Sequence, residues 1–124
     1  MAFSAVALEE RTRQFGVRAI LAAREHQAAR DLWEAFRQLS RAATSVGANH
    51  RAMSRARSAK EFAAKLQIVY EEVDETCYWL EVIEATAPAS ETLSALHTEA
   101  RELRAIFAKA RATTRAKLSQ GAPR

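Results

Sequence analysis

The 124 residues suffice for one domain with a modest core of its own, and nineteen lysines and arginines against fifteen acids leave a net charge of +4. Three glycines, two prolines and a single cysteine exclude a collagen-like chain, a proline-rich linker and an internally disulfide-bonded scaffold. Alanine, glutamate, arginine and leucine dominate, and β-branched residues never alternate over a strand length, so the expected class is all-α. A single domain over residues 1–120, followed by a short tail 121–124, is the expected organisation.

The first helix is expected over Ala7 to Glu25, with Leu8, Phe15, Ile20 and Leu21 as its apolar side and Gly16 weakening it slightly. Its opening stretch, "MAFSAVALEERTRQ", has no basic leader, and Glu9 and Glu10 interrupt its apolar run. No run of apolar residues is long enough to span a bilayer. The expectation is a soluble, cytoplasmic protein with no membrane partner.

The stretch "EHQAAR" separates this helix from the next without a glycine or proline to mark the boundary. The second helix carries Leu32, Phe36, Leu39, Ala43, Val46, His50 and Met53, spaced alternately by four and three. This stripe runs through "TSVGANHRAMSR" and predicts helix as far as about Arg55, not a loop. One glycine without a following lysine does not make a phosphate-cradling loop. On this reading Gly47 allows close packing and Asn49 is a register device. His50 is a hydrogen-bonded core histidine.

"SAKE" then places Ser58 three residues before Glu61, just ahead of Phe62. That is the pattern of a capping box, in which the serine accepts from a free backbone N–H and the glutamate reaches back. The third helix, Ser58 to Ala85, repeats every seven residues through Phe62, Leu66, Val69, Val73, Thr76, Leu80 and Ile83. A second apolar flank carries Ile68, Tyr70, Cys77, Trp79 and Val82. Either the helix is the inner member of its bundle or another subunit covers that flank.

Pro88 in "ATAPASE" ends the third helix, because it lacks an N–H and restricts its predecessor. The fourth helix carries Leu93, Leu96, Ala100, Leu103, Ile106, Phe107 and Ala110, and is expected to fray into the basic tail "RATTRAKLSQGAPR". Four helices with short joints predict an antiparallel up-down bundle.

Catalytic chemistry finds little support. His26, His50 and His97 fall on three separate segments, and none has a histidine or cysteine four residues away, so no metal site is expected. The acids Glu71, Glu72, Asp74 and Glu75 lack the Glu-x-x-His pattern of di-iron bundles. Cys77 sits among acids that disfavour its thiolate. No catalytic residue and no cofactor is expected, and the protein is read as non-enzymatic.

Charge is blocked along the chain. Residues 41–65 hold six bases and one acid, residues 71–84 six acids and no base, and residues 101–124 seven bases and one acid. Arg51, Arg55, Arg57, Lys60 and Lys65 cluster about the joint of the second and third helices and are the candidate phosphate contacts for RNA or DNA. The alternative use of the same bases is in salt bridges to the acidic block of another subunit.

These residues also resemble a known family. Arg41, Ala42, Ser45, Val46 and Asn49, then Arg57, Ser58, Lys60, Glu61 and Phe62, are similar to the core pattern of the S23 family, the four-helix-bundle proteins encoded in intervening sequences of bacterial 23S ribosomal RNA genes. The resemblance covers about residues 38 to 84. It departs where many members carry proline at the position of Gly47, and Ile-Ala-Glu-Gly in place of His50, Arg51, Ala52 and Met53, which makes this segment more basic and more helical. The resemblance implies a bundle that assembles into a ring-like homopentamer, with no assigned enzymatic activity. A similar protein, the accessory factor of diversity-generating retroelements, is a basic pentamer that binds nucleic acid and a reverse transcriptase. By analogy, nucleic acid and such an enzyme become expected partners beside further copies of the chain.

Overall fold

The computed structural model describes residues 5–121 and consists, among them, of four α-helices and one short 3-10 turn. They are α1 (Ala5–Glu25), α2 (Trp33–Ser54), α3 (Ala59–Thr86) and α4 (Glu91–Gly121), packed against one another as a helical bundle. Met1 to Ser4 and the end of the expected tail, beyond Gly121, lie outside the described residues.

The joint between α1 and α2 is made by a histidine, with no glycine or proline. His26 donates its backbone N–H to the α1 carbonyls of Ala22 and Ala23, its Nδ1 lies 2.8 Å from Ala22 O, and its ring stacks on Phe36 at 5.0 Å. A single 3-10 turn, Arg30–Leu32, then leads into α2. At the next joint Ser58 Oγ accepts from the N–H of Glu61 at 3.0 Å and starts α3. The Glu61 carboxylate faces Arg57, at 3.9 Å from Nε, so only the serine half of the capping box is built. Ala87 is extended ahead of Pro88, and Ser90 Oγ accepts from Leu93 N–H to open α4.

The seven-residue stripe of α3 is buried apart from the half-covered Phe62, and the whole predicted stripe of α2 is buried. α3 packs extensively on both α2 and α4, whereas α1 packs mainly on α2 and touches α4 only lightly. That position covers part of the second flank of α3 within one chain: Cys77 is buried, Tyr70, Trp79 and Val82 are half-buried, and Ile68 stays exposed. The α1–α4 seam is closed by Arg11, whose Nε and Nη2 each donate to Glu99, at 2.8 and 2.7 Å.

Two expectations are corrected. Ile20 and Leu21 are 43% and 44% exposed, and the core side of α1 is instead Leu8, Thr12, Phe15, Ala19 and Ala22. The reason is that α1 has a single close neighbour and needs only a narrow apolar stripe. Secondly, α4 does not fray after Ala110 but continues to Gly121, because its last turns rest on α3. Arg111 lies 4.0 Å over the Tyr70 ring, and Arg115 donates to Gln67 Oε1 at 3.1 Å.

The α1–α2 contact depends on two glycines. A Cβ on Gly47 would stand 3.2 Å from Thr12 O, and one on Gly16 would stand 3.3 Å from Thr44 Cα. Each glycine therefore accepts the backbone of the opposite helix. Thr12 is fully buried at this crossing and turns its hydroxyl to Leu8 O in its own helix.

Candidate nucleic-acid interface

The joint between α2 and α3 puts all five sequence-assigned bases at one end of the bundle. Arg51 is exposed in the last turn of α2, and Arg55 terminates the helix, its N–H reaching the carbonyls of Ala52 and Met53. Arg57 has 91% of its side chain exposed. Lys60 is exposed in the first turn of α3, and Lys65 is half-buried on the next. Among the described residues their only acidic neighbours within salt-bridge reach is Glu61, opposite Arg57.

The basic tail of the sequence, a modest addition to the patch on sequence grounds, is a second basic segment of the fold. Lys109, Arg111, Arg115 and Lys117 stand on the last turns of α4 with no acid between them. The bonds to Gln67 and the stacking on Tyr70 bring those turns against the start of α3. Residues more than forty positions apart in the chain thus meet along α3 and α4, at Gln67 and Tyr70. Glu9 of α1 and Arg51 line one shallow depression between α1 and α2. The signal that pointed here was the basic run itself; its neighbour in space was not readable.

The acidic block behaves differently. Arg41 pairs with Glu72 at 3.4 Å and with Glu75, Arg104 Nη1 donates to Asp74 at 3.0 Å, and His97 meets Glu84. Glu72, Glu75 and Asp74 are thus paired with arginines of α2 and α4 of the same chain. Arg41, though part of the basic run in sequence, is therefore withdrawn from the cationic end.

The remaining assigned residues lie inside α2 or at its end. Asn49 Nδ2 donates to Ser45 O and Oγ, both at 2.9 Å, within its own helix. His50 is 1% exposed, packs on Phe107 with ring centroids 5.8 Å apart, and leaves Nδ1 without a hydrogen-bond partner. Burial pushes its pKa down, opposed by the negative charge of Glu9. The neutral ring is accordingly the form held in the core.

No cluster of His, Cys, Asp and Glu able to hold a metal ion occurs among the described residues. Burial pushes the Cys77 thiol up, away from a thiolate. No helix among the described residues is long and apolar enough to cross a membrane.

These features define a four-helix, all-α protein with exposed bases about the α2–α3 joint. The family model described as "23S rRNA-intervening sequence protein" matches residues 9–109, and the chain belongs to that family. A crystal structure of a protein of unknown function from the S23 ribosomal protein family of Bacteroides thetaiotaomicron is similar, with a TM-score of 0.76 and 26% identity. The match covers 83% of this chain and 96% of that one. No curated protein matches the sequence.

Proposed function

We propose that the chain is a non-enzymatic subunit of a bacterial, cytoplasmic homo-oligomer that binds RNA or DNA through its cationic end. On this reading the helices run up and down in an antiparallel bundle, and the subunits close into a ring, a pentamer. The observation that carries the reading is the exposure of Arg51, Arg55, Arg57 and Lys60 about the α2–α3 joint, with Arg115 bonded to Gln67 two residues beyond Lys65. Such a surface releases counterions when it meets phosphates, and repetition around a ring multiplies a weak contact into useful avidity.

The test is a fluorescence-anisotropy titration of labelled RNA and DNA with the purified protein over a salt series. Binding is expected to weaken linearly in log affinity against log salt. Arg55→Glu with Arg57→Glu, and separately Arg115→Glu with Lys117→Glu, are expected each to lower affinity at least tenfold and flatten the slope, with the helical circular dichroism unchanged. Absence of binding to either nucleic acid at low salt overturns the reading.

A second reading makes the protein a scaffold for other proteins, a reverse transcriptase among them, with the bases engaged in intersubunit salt bridges to the acidic block. The pairing of Arg41 and Arg104 with that block inside one chain weighs against it. Loss of assembly in the Arg55/Arg57 variant, with no change in nucleic-acid affinity per subunit, supports the scaffold instead.

A further inference from the structure

Trp33 opens α2 with 66% of its surface exposed, so this indole contributes little to the core. Beside it lies a depression of about 440 Å³ between α1 and α2, where Ile20, Ala23 and Phe36 give the apolar lining and Arg24 and Gln27 part of the polar one. Ile20 also lines the next depression along the same two helices, which reaches Arg51. The two depressions therefore form one shallow groove, low where the helices approach at Gly16 and Gly47, running from Trp33 toward the exposed bases of the α2–α3 joint. Not every arginine along it is available. Arg13 and Arg37 each hold a carboxylate of their own helix, Glu10 and Glu34. Arg24 and Arg51 make no ion pair among the described residues, although Glu9 lines the same depression as Arg51.

We infer, on the nucleic-acid binding proposed above, that this groove takes a single strand of RNA or DNA, with one unpaired base stacked on Trp33 and a neighbouring phosphate on Arg24. An exposed indole offers a face to any base, and a free guanidinium beside it meets the phosphate that every nucleotide carries. The depression at Trp33 holds both groups. Farther along, Val17 and Ile20 give the bases and sugars an apolar wall on the way to Arg51. Along α2 Trp33 and Arg51 stand about 27 Å apart, a distance that about eight stacked nucleotides cover. A duplex keeps its bases stacked on one another and has no free face for the indole, so the groove selects the unpaired strand. Arg51, Arg55 and Arg57 attract either form by charge; Trp33 is the residue that tells them apart.

The chain has two tryptophans, so a Trp79→Phe background lets Trp33 fluorescence be read alone. A single-stranded oligonucleotide of about twelve nucleotides is expected to quench it, and the duplex of the same sequence to leave it unchanged. By anisotropy, Trp33→Ala is expected to lower single-strand affinity about tenfold and duplex affinity not at all, while Trp33→Phe keeps most of the binding. Arg24→Gln is expected to reduce the single-strand slope of log affinity against log salt by about 0.7. Both side chains are exposed, so helical circular dichroism is expected to stay that of the wild type. Single-strand affinity that Trp33→Ala leaves unchanged overturns this site and leaves the proposed nucleic-acid binding standing on the Arg55/Arg57 variant. Equal quenching by duplex and single strand overturns the selection of an unpaired base. Absence of binding to either form at low salt overturns both this site and the proposed function.

Discussion

Gly47 and His50 stand one turn apart on α2 and show how differently a residue can be constrained. Gly47 is held by space: its Cα faces Thr12 O, and a Cβ would have to fit at 3.2 Å. Gly47→Ala is expected to be close to neutral, since a helix-propensity gain of about 1 kcal/mol offsets a small shift of α1. Gly47→Val has no such offset and should cost about 1–3 kcal/mol by urea unfolding, through overpacking of the α1–α2 crossing.

His50 is held by desolvation. Its folded pKa lies below the ordinary value of 6.5, so the unfolded chain takes up a proton at a higher pH than the folded one. The stability associated with the neutral ring is therefore complete above pH 6.5, is lost as pH falls below it, and levels off once the folded pKa is passed. His50→Leu keeps an apolar side chain against Phe107 and leaves no unpaired Nδ1. The variant should lose distinctly less stability than the wild type between pH 7.5 and pH 5.5 in paired urea titrations. Equal losses in the two proteins would show that His50 is not the group responsible.

At the scale of the element, the last turns of α4 are the instructive case. Past Ala110 the helix has little core to bury, and propensity alone leaves isolated helical turns marginal. What holds them is lateral contact with α3 through Arg111 on Tyr70 and Arg115 on Gln67. Removing the ring with Tyr70→Ala takes away a cation–π contact of about 0.5–1 kcal/mol. Hydrogen exchange of α4 amides beyond Ala110 should then quicken by about two- to fivefold, while those between Leu96 and Phe107 keep their rates. Uniform quickening along α4 would mean that Tyr70 supports the whole bundle and not its end.

The same element explains a limit on sequence reading. The apolar repeat of α4 stops near Ala110, and a reading that follows apolar periodicity stops there too. Helix α1 shows the converse: Ile20 and Leu21 look like core residues by type, yet only the position of α2 decides which side of α1 is inward.

For the whole molecule the weak seam is α1 against α4. Neighbours in sequence pack broadly, but this pair meets along a small area and is bound by the two-pronged contact of Arg11 with Glu99. The side chains are 25% and 15% exposed, between a surface pair and a buried one. Arg11→Ala should therefore cost about 1.5 kcal/mol, more than an exposed pair and less than a dry one, as read from the urea midpoint at constant slope. A midpoint unchanged from the wild type would place the closure of the bundle elsewhere.

The sequence by itself determined the helical class, the buried stripes of α2 and α3, the serine cap at Ser58 and the break at Pro88, along with the family resemblance about Arg41–Asn49 and Arg57–Phe62. All of these are local, carried by periodicity over a few turns or by a side chain bonding its own backbone neighbours. Three matters belonged to the tertiary structure alone. It paired Glu72, Glu75 and Asp74 of the acidic block with Arg41 and Arg104, it set the late turns of α4 beside α3 through Arg115 and Gln67, and it left Ile20, Ile68 and Tyr78 exposed on the outer faces of α1 and α3. Each depends on which helix lies beside which, and a pattern along one helix carries no information about the charge or shape of its neighbour.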